Sequence, residues 1–427
     1  MAKIPALPSN SFLGHFKPYV ADPLSFLQHH QAEYGDTYSF KVATRKLNFI
    51  NHPDLVQRVL QENNRNYRKS IAYQKLGLLL GNGLLTSEGD FWRRQRRLSQ
   101  PLFHKAEIQT YARMMESTTD RMIARIRDQK QIDINVLMTH LTLEIITETL
   151  LGMKLEEGGK VIEKYLPPLL QQMIKRIVSA INVPLWVPTK TNREFKASIQ
   201  MLDQLITGLI LEKEKEGKQK DLLSALMQAR DENNQGMTRQ QLQDEVMTFF
   251  MAGHETTAVA SAWSFYIIHS KPEIEQMLRE ELKTGKNIYM RAFIQEVLRY
   301  FSPIWVLGRE SIEGDRIGQF EVGKKESIIF SPYMMHRHED FWDDPLEFKP
   351  ERFIESKPGH KFAYFPFGGG PRLCIGNHFA LMELEIIISR FLQSFQMSLQ
   401  DKSFPGYDYS LTLRPGRPLQ FEINPLA

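Results

Sequence analysis

The chain has 427 residues, of which 42% are hydrophobic and 24% charged, and its formal net charge is +4. This composition excludes a disordered chain and is typical of a globular protein with a large core. The mild positive charge comes without a basic stripe interleaved with aromatic residues, which argues against nucleic-acid binding. One cysteine in the whole chain argues against a disulfide-built secreted domain and favours the cytoplasm.

The N-terminal segment "MAKIPALPSNSFLGHF" has Pro5 and Pro8 where a signal peptide needs an uninterrupted apolar run. No stretch of about 18 apolar residues is evident, so we expect no stable membrane anchor. No Gly/Ser-rich or Pro-rich linker divides the chain, and the sequence therefore predicts a single domain over residues 1–427. Strand signals concentrate in residues 1–75, and the remainder is predicted to be helical.

In chain order, the first strong signal is "GDTYSFKVATRKLNFINHP", whose β-branched and aromatic residues between turn signals predict strands. In "FWRRQRR", Trp92 and Arg96 lie four residues apart and share one side of a predicted helix. The charged run "EKEKEGKQK", residues 212–220, is interpreted as a solvated connection between helices.

The longest predicted helix begins with a capping box formed by Thr238 and Gln241 and ends before Pro272. A second capping box, Ser270 with Glu273, predicts that another helix starts at once. The middle of the long helix reads "AGHETT", residues 252–257. Its His-Glu pair is not a metalloprotease motif, because the fourth residue after His254 is Ala258 rather than a second histidine. An ordinary buried helix containing threonines remains open at this point.

The segment "MRAFIQEVLRYFSP" predicts a helix that stops before Pro303, followed by short strands up to Pro332. Glu296 and Arg299 lie one helical turn apart in this helix. A surface ion pair would contribute little to stability. The apolar residues that flank the pair, Ile294 and Val297, indicate burial instead.

The only cysteine, Cys374, lies in "FPFGGGPRLCIGN", where a glycine-rich loop is predicted to enter a helix. The loop has neither the Gly-Lys-Ser/Thr ending of a phosphate-binding loop nor a dinucleotide-binding pattern. A thiol nucleophile needs a base, and no sequence feature identifies one. An inert buried cysteine would leave the four glycines and Arg372 unexplained, so a soft thiolate ligand to iron is favoured.

Five residues of this loop resemble the haem-binding signature of the cytochrome P450 family: Phe367, Gly370, Arg372, Cys374 and Gly376. "AGHETT" is similar to the family's oxygen-activating motif, and Glu296, Arg299 and Arg352 match its E-x-x-R pair and third member. The resemblance extends from "GDTYSF" to "LTLRP". It implies a mainly α fold with small β-sheets, the cytochrome P450 fold, as a single haem domain.

Through this resemblance, each candidate residue acquires an expected role. Cys374 would be the proximal ligand of a non-covalent haem b, with Phe367 packed beside the sulfur and N–H groups near Gly376 tuning it. Trp92, Arg96, Arg309 and Arg372 match propionate-binding positions. Some relatives attach haem through a glutamate at the position that Ala252 occupies here, which is why no covalent link is expected.

On the distal side, the resemblance implies that Gly253 leaves space for a diatomic ligand. Thr256 would hydrogen-bond either the helix carbonyl or the oxygen ligand, and Glu255 would supply protons. By position, the substrate-pocket candidates are Leu85, Ala252, Ile304 and Val306. The segment "LPPLLQQMIKRIVSAINVPLW" is expected to form a lid.

The implied function is a haem-thiolate monooxygenase that inserts one atom of O2 into a lipophilic small molecule. No flavin or iron–sulfur domain follows before Ala427, so electrons are expected from a separate ferredoxin or flavodoxin with its reductase. A monomer is expected. The alternatives are a hydrogen-peroxide-dependent peroxygenase and a haem gas sensor, although relatives of the first kind generally replace the acid–alcohol pair retained here, and no signalling module is visible.

Overall fold

A computed structural model describes residues 2–179, 183–216, 221–355 and 358–426. Helices dominate, and small sheets accompany them, as the sequence predicted. The helices are α1 (Phe16–Ala21), α2 (Pro23–Tyr34), α3 (Pro53–Gln57), α4 (Ile71–Leu80), α5 (Gly89–Ser99), α6 (Lys105–Ile126), α7 (Ile134–Ile146), α8 (Leu155–Val178), α9 (Lys190–Glu216), α10 (Leu222–Gln228), α11 (Arg239–Ser270), α12 (Pro272–Thr284), α13 (Ile288–Tyr300), α14 (Pro332–Met335), α15 (Arg352–Glu355) and α16 (Asn377–Ser394).

The strands are short, and most of them belong to the first 71 residues or to the segment after α13. They are β1 (Ala2–Lys3), β2 (Thr37–Val42), β3 (Arg45–Ile50), β4 (Tyr67–Lys69), β5 (Gln131–Asp133), β6 (Leu307–Ser311), β7 (Asp315–Ile317), β8 (Phe320–Val322), β9 (Ser327–Phe330), β10 (Phe395–Leu399), β11 (Tyr407–Tyr409), β12 (Leu413–Pro415) and β13 (Gln420–Pro425). The predicted strands after Gly35 and before Pro332 are confirmed.

By its internal contacts the chain divides into two compact units. We call residues 1–71, 262–374 and 402–418 the sheet unit, and residues 72–261, 375–401 and 419–427 the helical unit. The single domain expected over residues 1–427 stays a prediction. The expected β-rich N-terminal part contains β1 to β4, but α1 to α3 also lie within it.

The sheet unit is built on a five-stranded sheet of order β2-β3-β9-β6-β4. Strands β2 and β3 form an antiparallel hairpin, and β9 joins β3 in parallel. One apolar cluster packs Tyr38, Phe40 and Phe49 with Trp305 and Tyr333, and it includes Val306 at its margin. Burying such aromatic side chains is a large favourable term in folding. A second apolar cluster of the sheet unit includes Phe330 of β9 and Phe365, the first residue of the loop that contains Cys374.

The helical unit contains α4 from its second residue onward, α5 to α10, the first part of α11, and α16, together with the three-stranded sheet β10-β13-β5. The predicted capping box of α11 is confirmed, because the Thr238 N–H donates to Gln241 Oε1 at 2.9 Å and the Gln241 N–H to Thr238 Oγ1 at 3.2 Å. The second predicted capping box is wrong. The N-cap of α12 is Lys271, and the Ser270 hydroxyl donates back to the Ile267 carbonyl.

Two further expectations need correction. The charged run at residues 212–220 is helical as far as Glu216, and Lys213 in it is buried and ion-paired with Asp221 at 2.7 Å. Residues 217–220 of the run lie outside the described residues. The sequence analysis found no apolar stretch of membrane-spanning length. Within the described part of the chain, however, Ile134–Leu151 is long and apolar enough to cross a membrane. Of this stretch, 67% is buried inside the fold, and a buried core helix passes the same test.

Candidate active site

Backbone hydrogen bonds define the loop that contains Cys374. The Cys374 N–H donates to the Phe367 carbonyl at 3.0 Å, and inside this closure the Leu373 N–H donates to the Gly370 carbonyl at 3.1 Å. The Cys374 side chain is exposed. Helix α16 begins three residues later at Asn377, so the predicted position of the cysteine, where a loop enters a helix, is confirmed.

Different structural constraints explain the glycines of this loop. Gly368 and Gly370 have φ of +71° and +65°, a region that favours glycine. A Cβ on Gly370 would lie 1.8 Å from the Leu60 carbonyl oxygen, so the neighbouring backbone also excludes a side chain there. A Cβ on Gly376 would meet nothing within 4 Å, and the chain itself therefore does not require glycine at that position.

His336 attaches the start of the loop to the rest of the sheet unit, a role that the sequence did not indicate. The Phe365 N–H donates to His336 Nε2 at 3.0 Å, which assigns the ring proton to Nδ1. Nδ1 lies 2.9 Å from the Ser302 hydroxyl. Burial holds the pKa of His336 well below its ordinary value, and the ring is therefore a neutral link.

The predicted burial of Glu296 and Arg299 is confirmed, because both side chains have 0% exposure. Arg299 makes a two-point contact with Glu296, at 2.7 and 2.8 Å, and also donates to the carbonyls of His336, Pro345 and Glu347. Arg352 adds a contact to Glu296 at 3.3 Å. This network supports α13 and the segment that leads to the cysteine loop, so its role is structural.

Arg309, on β6, is buried with 8% exposure, and its guanidinium donates to the Gly308 carbonyl at 2.9 Å. Among the described residues no carboxylate lies within ion-pair distance of it. A buried guanidinium with five donors and one acceptor is costly unless an anion completes it. Arg372 is half-buried in a 3₁₀ turn, Gly370–Arg372, and Ile304 and Val306 are half-buried on either side of buried Trp305.

Helix α11, in the helical unit, is less buried at three residues of "AGHETT", the segment that the sequence analysis singled out. We call these three residues the notch. From Asp244 to His269 every residue is buried except Ala252, which is exposed, and Gly253 and Thr256, which are half-buried. The three positions share one face at i, i+1 and i+4. A fully packed core helix would not expose an alanine in its middle, so this face of α11 is open. Glu255 next to it is buried.

Three consecutive carbonyls in the notch each accept a threonine hydroxyl. Thr256 donates to Ala252 at 2.8 Å, Thr257 to Gly253 at 3.1 Å, and Thr142 of α7 to His254 at 2.8 Å. Such back-bonding weakens and bends the local helix. Of the two partners expected for the Thr256 hydroxyl, the helix carbonyl is therefore the one observed.

Gly253 also has a packing role that the sequence did not indicate. A Cβ at Gly253 would lie 2.9 Å from Ile146 Cδ1, so the missing side chain makes room for α7. Its contact with a haem ligand stays a prediction.

Leu85 lies on a loop that two acidic residues of α11 hold, a feature that the sequence analysis missed. The Asn82 N–H donates to Asp244 at 2.8 Å, and the Leu84 N–H to Glu245 at 3.0 Å. The motif "GNGLL" was a signal for this docking, since a Cβ on Gly83 would lie 2.1 Å from Thr248 Oγ1. Leu85 itself is half-buried.

Trp92 and Arg96 both lie on α5, where Trp92 is buried and Arg96 half-buried. The other arginines of this helix have acidic partners within the protein: Arg93 with Asp90, Arg94 with Asp231, and Arg97 with Glu232. Arg96 Nε donates to Gln100 Oε1 on the same side of the helix at 3.3 Å. Of the expected lid, the helical part ends at Val178, and residues 180–182 lie outside the described residues.

Comparison with known proteins decides the family. The family model described as Cytochrome P450 matches residues 5–422. The chain belongs to the cytochrome P450 family. The solved structure "Retinoic acid bound cyanobacterial CYP120A1" shares the fold of this P450, with a TM-score of 0.88, 21% identity and 100% of each chain covered.

Two curated P450 relatives come from Streptomyces melanosporofaciens. Cyclooctatin synthase is 29% identical over 431 residues, covering 97% of this chain and 92% of the relative. Cyclooctat-9-en-7-ol 5-monooxygenase is 29% identical over 402 residues, covering 90% and 87%. This P450 is accordingly a haem monooxygenase, an oxidoreductase with a thiolate-ligated haem that uses O2, a substrate and redox partners.

The residues present fit such a cofactor. The donor set includes one thiol, which is exposed at the end of a backbone-closed loop. Arg309 is a buried cation without a carboxylate partner in the described part of the chain, as expected of a residue that receives a propionate. In the helical unit, Ala252 of α11 is exposed and Gly253 is half-buried, so this helix face is not filled by the chain's own side chains.

Proposed function

We propose that Cys374 is the thiolate ligand of a non-covalent haem b in this monooxygenase. The observation that carries the proposal is that the family's haem is thiolate-ligated and that the chain has one cysteine. The positive-φ glycines and the Cys374–Phe367 hydrogen bond support it, because they set the thiol at the end of a rigid loop. When bound, the haem supplies O2 binding and reduction, and thiolate donation favours O–O cleavage.

Arg309, Arg96, Trp92 and Arg372 would hold the two haem propionates in this proposal. Each charge-assisted hydrogen bond contributes about 1.5–3 kcal/mol. Arg309 is the best supported of the four. Its charge is buried, it donates to the Gly308 carbonyl, and no carboxylate of the described residues lies within ion-pair distance of it. Phe367 and Gly376 are proposed to pack near the sulfur, and Gly253 to pass beside the oxygen ligand.

Thr256 and Glu255 are proposed as the proton-delivery pair. The Thr256 hydroxyl lies on the open face of α11 and hydrogen-bonds the Ala252 carbonyl. Rotation of χ1 to another staggered rotamer would release that bond and free the hydroxyl proton. Glu255 is buried beside it and is the adjacent acid from which the hydroxyl proton can be replaced.

The substrate is proposed to be a lipophilic small molecule that contacts Leu85, Ala252, Ile304 and Val306. These four side chains are apolar, and each is exposed or half-buried. The names of cyclooctat-9-en-7-ol 5-monooxygenase and of the retinoic acid complex describe largely hydrocarbon ligands of those proteins. Apolar walls select weakly among such molecules, so the proposal stops at the class.

Electrons are proposed to come from a ferredoxin or flavodoxin with its reductase, and the protein is proposed to be a monomer of the cytoplasm. The net charge of +4 favours an acidic donor. The rate of first-electron transfer should therefore fall steeply as salt is raised from low to physiological concentration.

Ligation is tested by the ferrous carbon monoxide spectrum of the purified protein. The wild type should show the red-shifted band of thiolate ligation with one haem per chain, and Cys374→His should lose that band. A Cys374→Ser variant with an unchanged ferrous spectrum would refute the assignment of the ligand.

Proton delivery is tested by coupling, the product formed per NAD(P)H consumed with a reconstituted donor. Thr256→Ala should keep the haem content and the carbon monoxide spectrum, yet release peroxide in place of product. The matched control is Thr139→Ala, since the Thr139 hydroxyl makes the same type of back-bond, to Asn135 at 2.8 Å, on α7. Unchanged coupling in Thr256→Ala would remove this residue from the mechanism.

The same assay separates the alternatives. A peroxygenase would form product from hydrogen peroxide at least as well as from O2 and the donor. A gas sensor would bind carbon monoxide but form no product with either oxidant.

A further inference from the structure

The ring of His336 connects helix α13 to the loop that contains Cys374. The Ser302 hydroxyl donates its proton to the Leu298 carbonyl at 3.0 Å, so its oxygen can accept the proton of His336 Nδ1, which lies 2.9 Å away. On the other side of the ring, Nε2 accepts the Phe365 N–H at 3.0 Å. His336 is 0% and Phe365 3% exposed, so water does not replace either bond. This position therefore uses one donor and one acceptor, which a neutral imidazole supplies together.

Hydrogen bonds inside the loop extend from this fixed point towards the sulfur. The Phe365 carbonyl accepts the Gly368 N–H at 2.9 Å, and the Phe367 carbonyl accepts the Cys374 N–H at 3.0 Å. These two bonds fix the shape of the loop. The bond from the Phe365 N–H to His336 ties that shape to α13, in the same unit of the chain.

The backbone of His336 makes contacts that are separate from those of its ring. Arg299 Nη1 donates to the His336 carbonyl at 2.6 Å, and the His336 N–H donates to the Pro332 carbonyl at 2.8 Å. Any residue other than proline at this position would keep both bonds. Replacing the side chain therefore removes the contact with the loop and leaves the contact between Glu296 and Arg299 in place.

We propose that the His336 ring is the positioning residue for the Cys374 sulfur, and that it thereby sets how strongly the thiolate binds the haem iron. The inference rests on the proposed ligation by Cys374. Without the ring acceptor, the Phe365 N–H is buried and unpaired, which favours a displaced loop in which it reaches another acceptor. The ligand then binds only in the fraction of molecules whose loop is in place. His336 acts through Phe365, as groups behind a metal ligand commonly do.

The test compares three variants of the haem-loaded protein. His336→Phe keeps an aromatic ring of similar size and removes both ring nitrogens. His336→Gln keeps an acceptor for the Phe365 N–H and a donor for the Ser302 hydroxyl. His360→Phe is the matched control, because His360 Nδ1 accepts the Phe362 N–H at 3.0 Å, which is the same type of bond in the segment that leads into the loop. The His360 side chain is 26% exposed.

His336→Phe should lower the ratio of red-shifted to unshifted ferrous carbon monoxide absorption by about 5-fold to 150-fold, the factor expected for one unsatisfied buried N–H. In molecules that keep the thiolate ligand, the reduction potential should rise, because weaker thiolate donation leaves the iron less electron-rich. A purely structural role would lower stability without moving the potential. His336→Gln should recover most of both properties, and His360→Phe should match the wild type.

A second readout uses the wild type alone. Its ferrous carbon monoxide complex is diamagnetic, so nitrogen NMR can report the tautomer of each histidine. The His336 ring should have its proton on Nδ1 and a hydrogen-bonded, unprotonated Nε2 at pH 7. A proton on Nε2 would overturn the inference. If His336→Phe does not load haem, this measurement and the recovery in His336→Gln decide.

The two proposals fail differently. A wild-type protein without the red-shifted band overturns ligation by Cys374. A wild type with that band, whose His336→Phe variant keeps both the band ratio and the potential, overturns this inference alone. An equal loss in His360→Phe would also overturn it, because the effect would then come from the general stability of the segment.

Discussion

Two buried arginines of the sheet unit show the difference between a region that is complete and one that is not. Arg299 has 0% exposure and is satisfied by Glu296 and three backbone carbonyls. Arg309 has 8% exposure and donates to a carbonyl, with no carboxylate beside it in the described part of the chain. A buried cation is stable only when it is paired. The first arginine is therefore part of the scaffold, and the second is the one that we propose to hold a haem propionate.

One buried glutamate from each unit gives the same contrast. Glu296 accepts hydrogen bonds from Arg299, Arg352 and the Lys349 N–H, whereas neither oxygen of Glu383 has a partner. Buried charged groups whose hydrogen bonds are satisfied within the protein belong to the scaffold. Buried charged groups without such partners are candidates for a chemical role. The predictions below test this rule.

The largest effect is expected from Arg299→Ala. Removing Arg299 takes the two-point partner from a fully buried carboxylate and leaves Glu296 with the longer Arg352 contact and the Lys349 N–H, which should lower the free energy of unfolding by about 3–5 kcal/mol. Arg299→Lys should recover only part of the loss, because an ammonium cannot make the two-point contact. Denaturant unfolding of haem-free and haem-loaded protein measures both. A loss confined to the loaded protein would contradict a purely structural role.

Glu383→Gln should raise the free energy of unfolding, whereas Arg299→Ala lowers it, and the gain should depend on pH. The folded-state pKa is about 8 and the unfolded value 4.5, so between these values the folded protein binds more protons than the unfolded one. The wild type then loses about 1.4 kcal/mol of stability per pH unit as the pH rises through this window, and the loss is absent below it. Glutamine does not titrate. Unfolding at several pH values should show the variant gaining on the wild type from pH 5 to pH 8, and a constant difference would mean that Glu383 is charged in the fold.

Arg309→Ala should weaken haem retention without destabilising the haem-free protein. Losing a charge-assisted hydrogen bond to a propionate costs about 1.5–3 kcal/mol of binding, which corresponds to haem transfer to an acceptor protein about 10-fold to 150-fold faster. Arg96→Ala should act in the same direction with the fold retained. Haem release at the wild-type rate in both variants would remove the propionate role.

The smallest effect is expected from Arg97→Ala. Arg97 and Glu232 lie 3.1 Å apart, but their side chains are 63% and 60% exposed, and solvent screens such pairs. Unfolding and haem release should both match the wild type within error. A clear loss of stability would show that ion pairs on α5 matter beyond their exposure.

The sequence by itself determined the family, the thiol and the position of the "AGHETT" turn in the middle of α11. Local signals are sufficient there, because a glycine-rich loop around a lone cysteine, "AGHETT" in mid-helix, and an E-x-x-R spacing each constrain backbone and chemistry within a few residues. It also predicted the capping box of α11 and the burial of Glu296 and Arg299, both of which are confirmed.

Only the tertiary structure decided which groups are satisfied. The failed capping box at Ser270, the burial of Lys213, the contact of Gly253 with Ile146 and the link from His336 to Phe365 all depend on residues that are adjacent in space or on competition between nearby caps. The same holds for Arg309 and Glu383, which resemble any other arginine and glutamate in the sequence. Whether a charged side chain is paired, solvated or buried without a partner depends on its burial and on residues far away in the sequence. Local residue patterns contain neither kind of information.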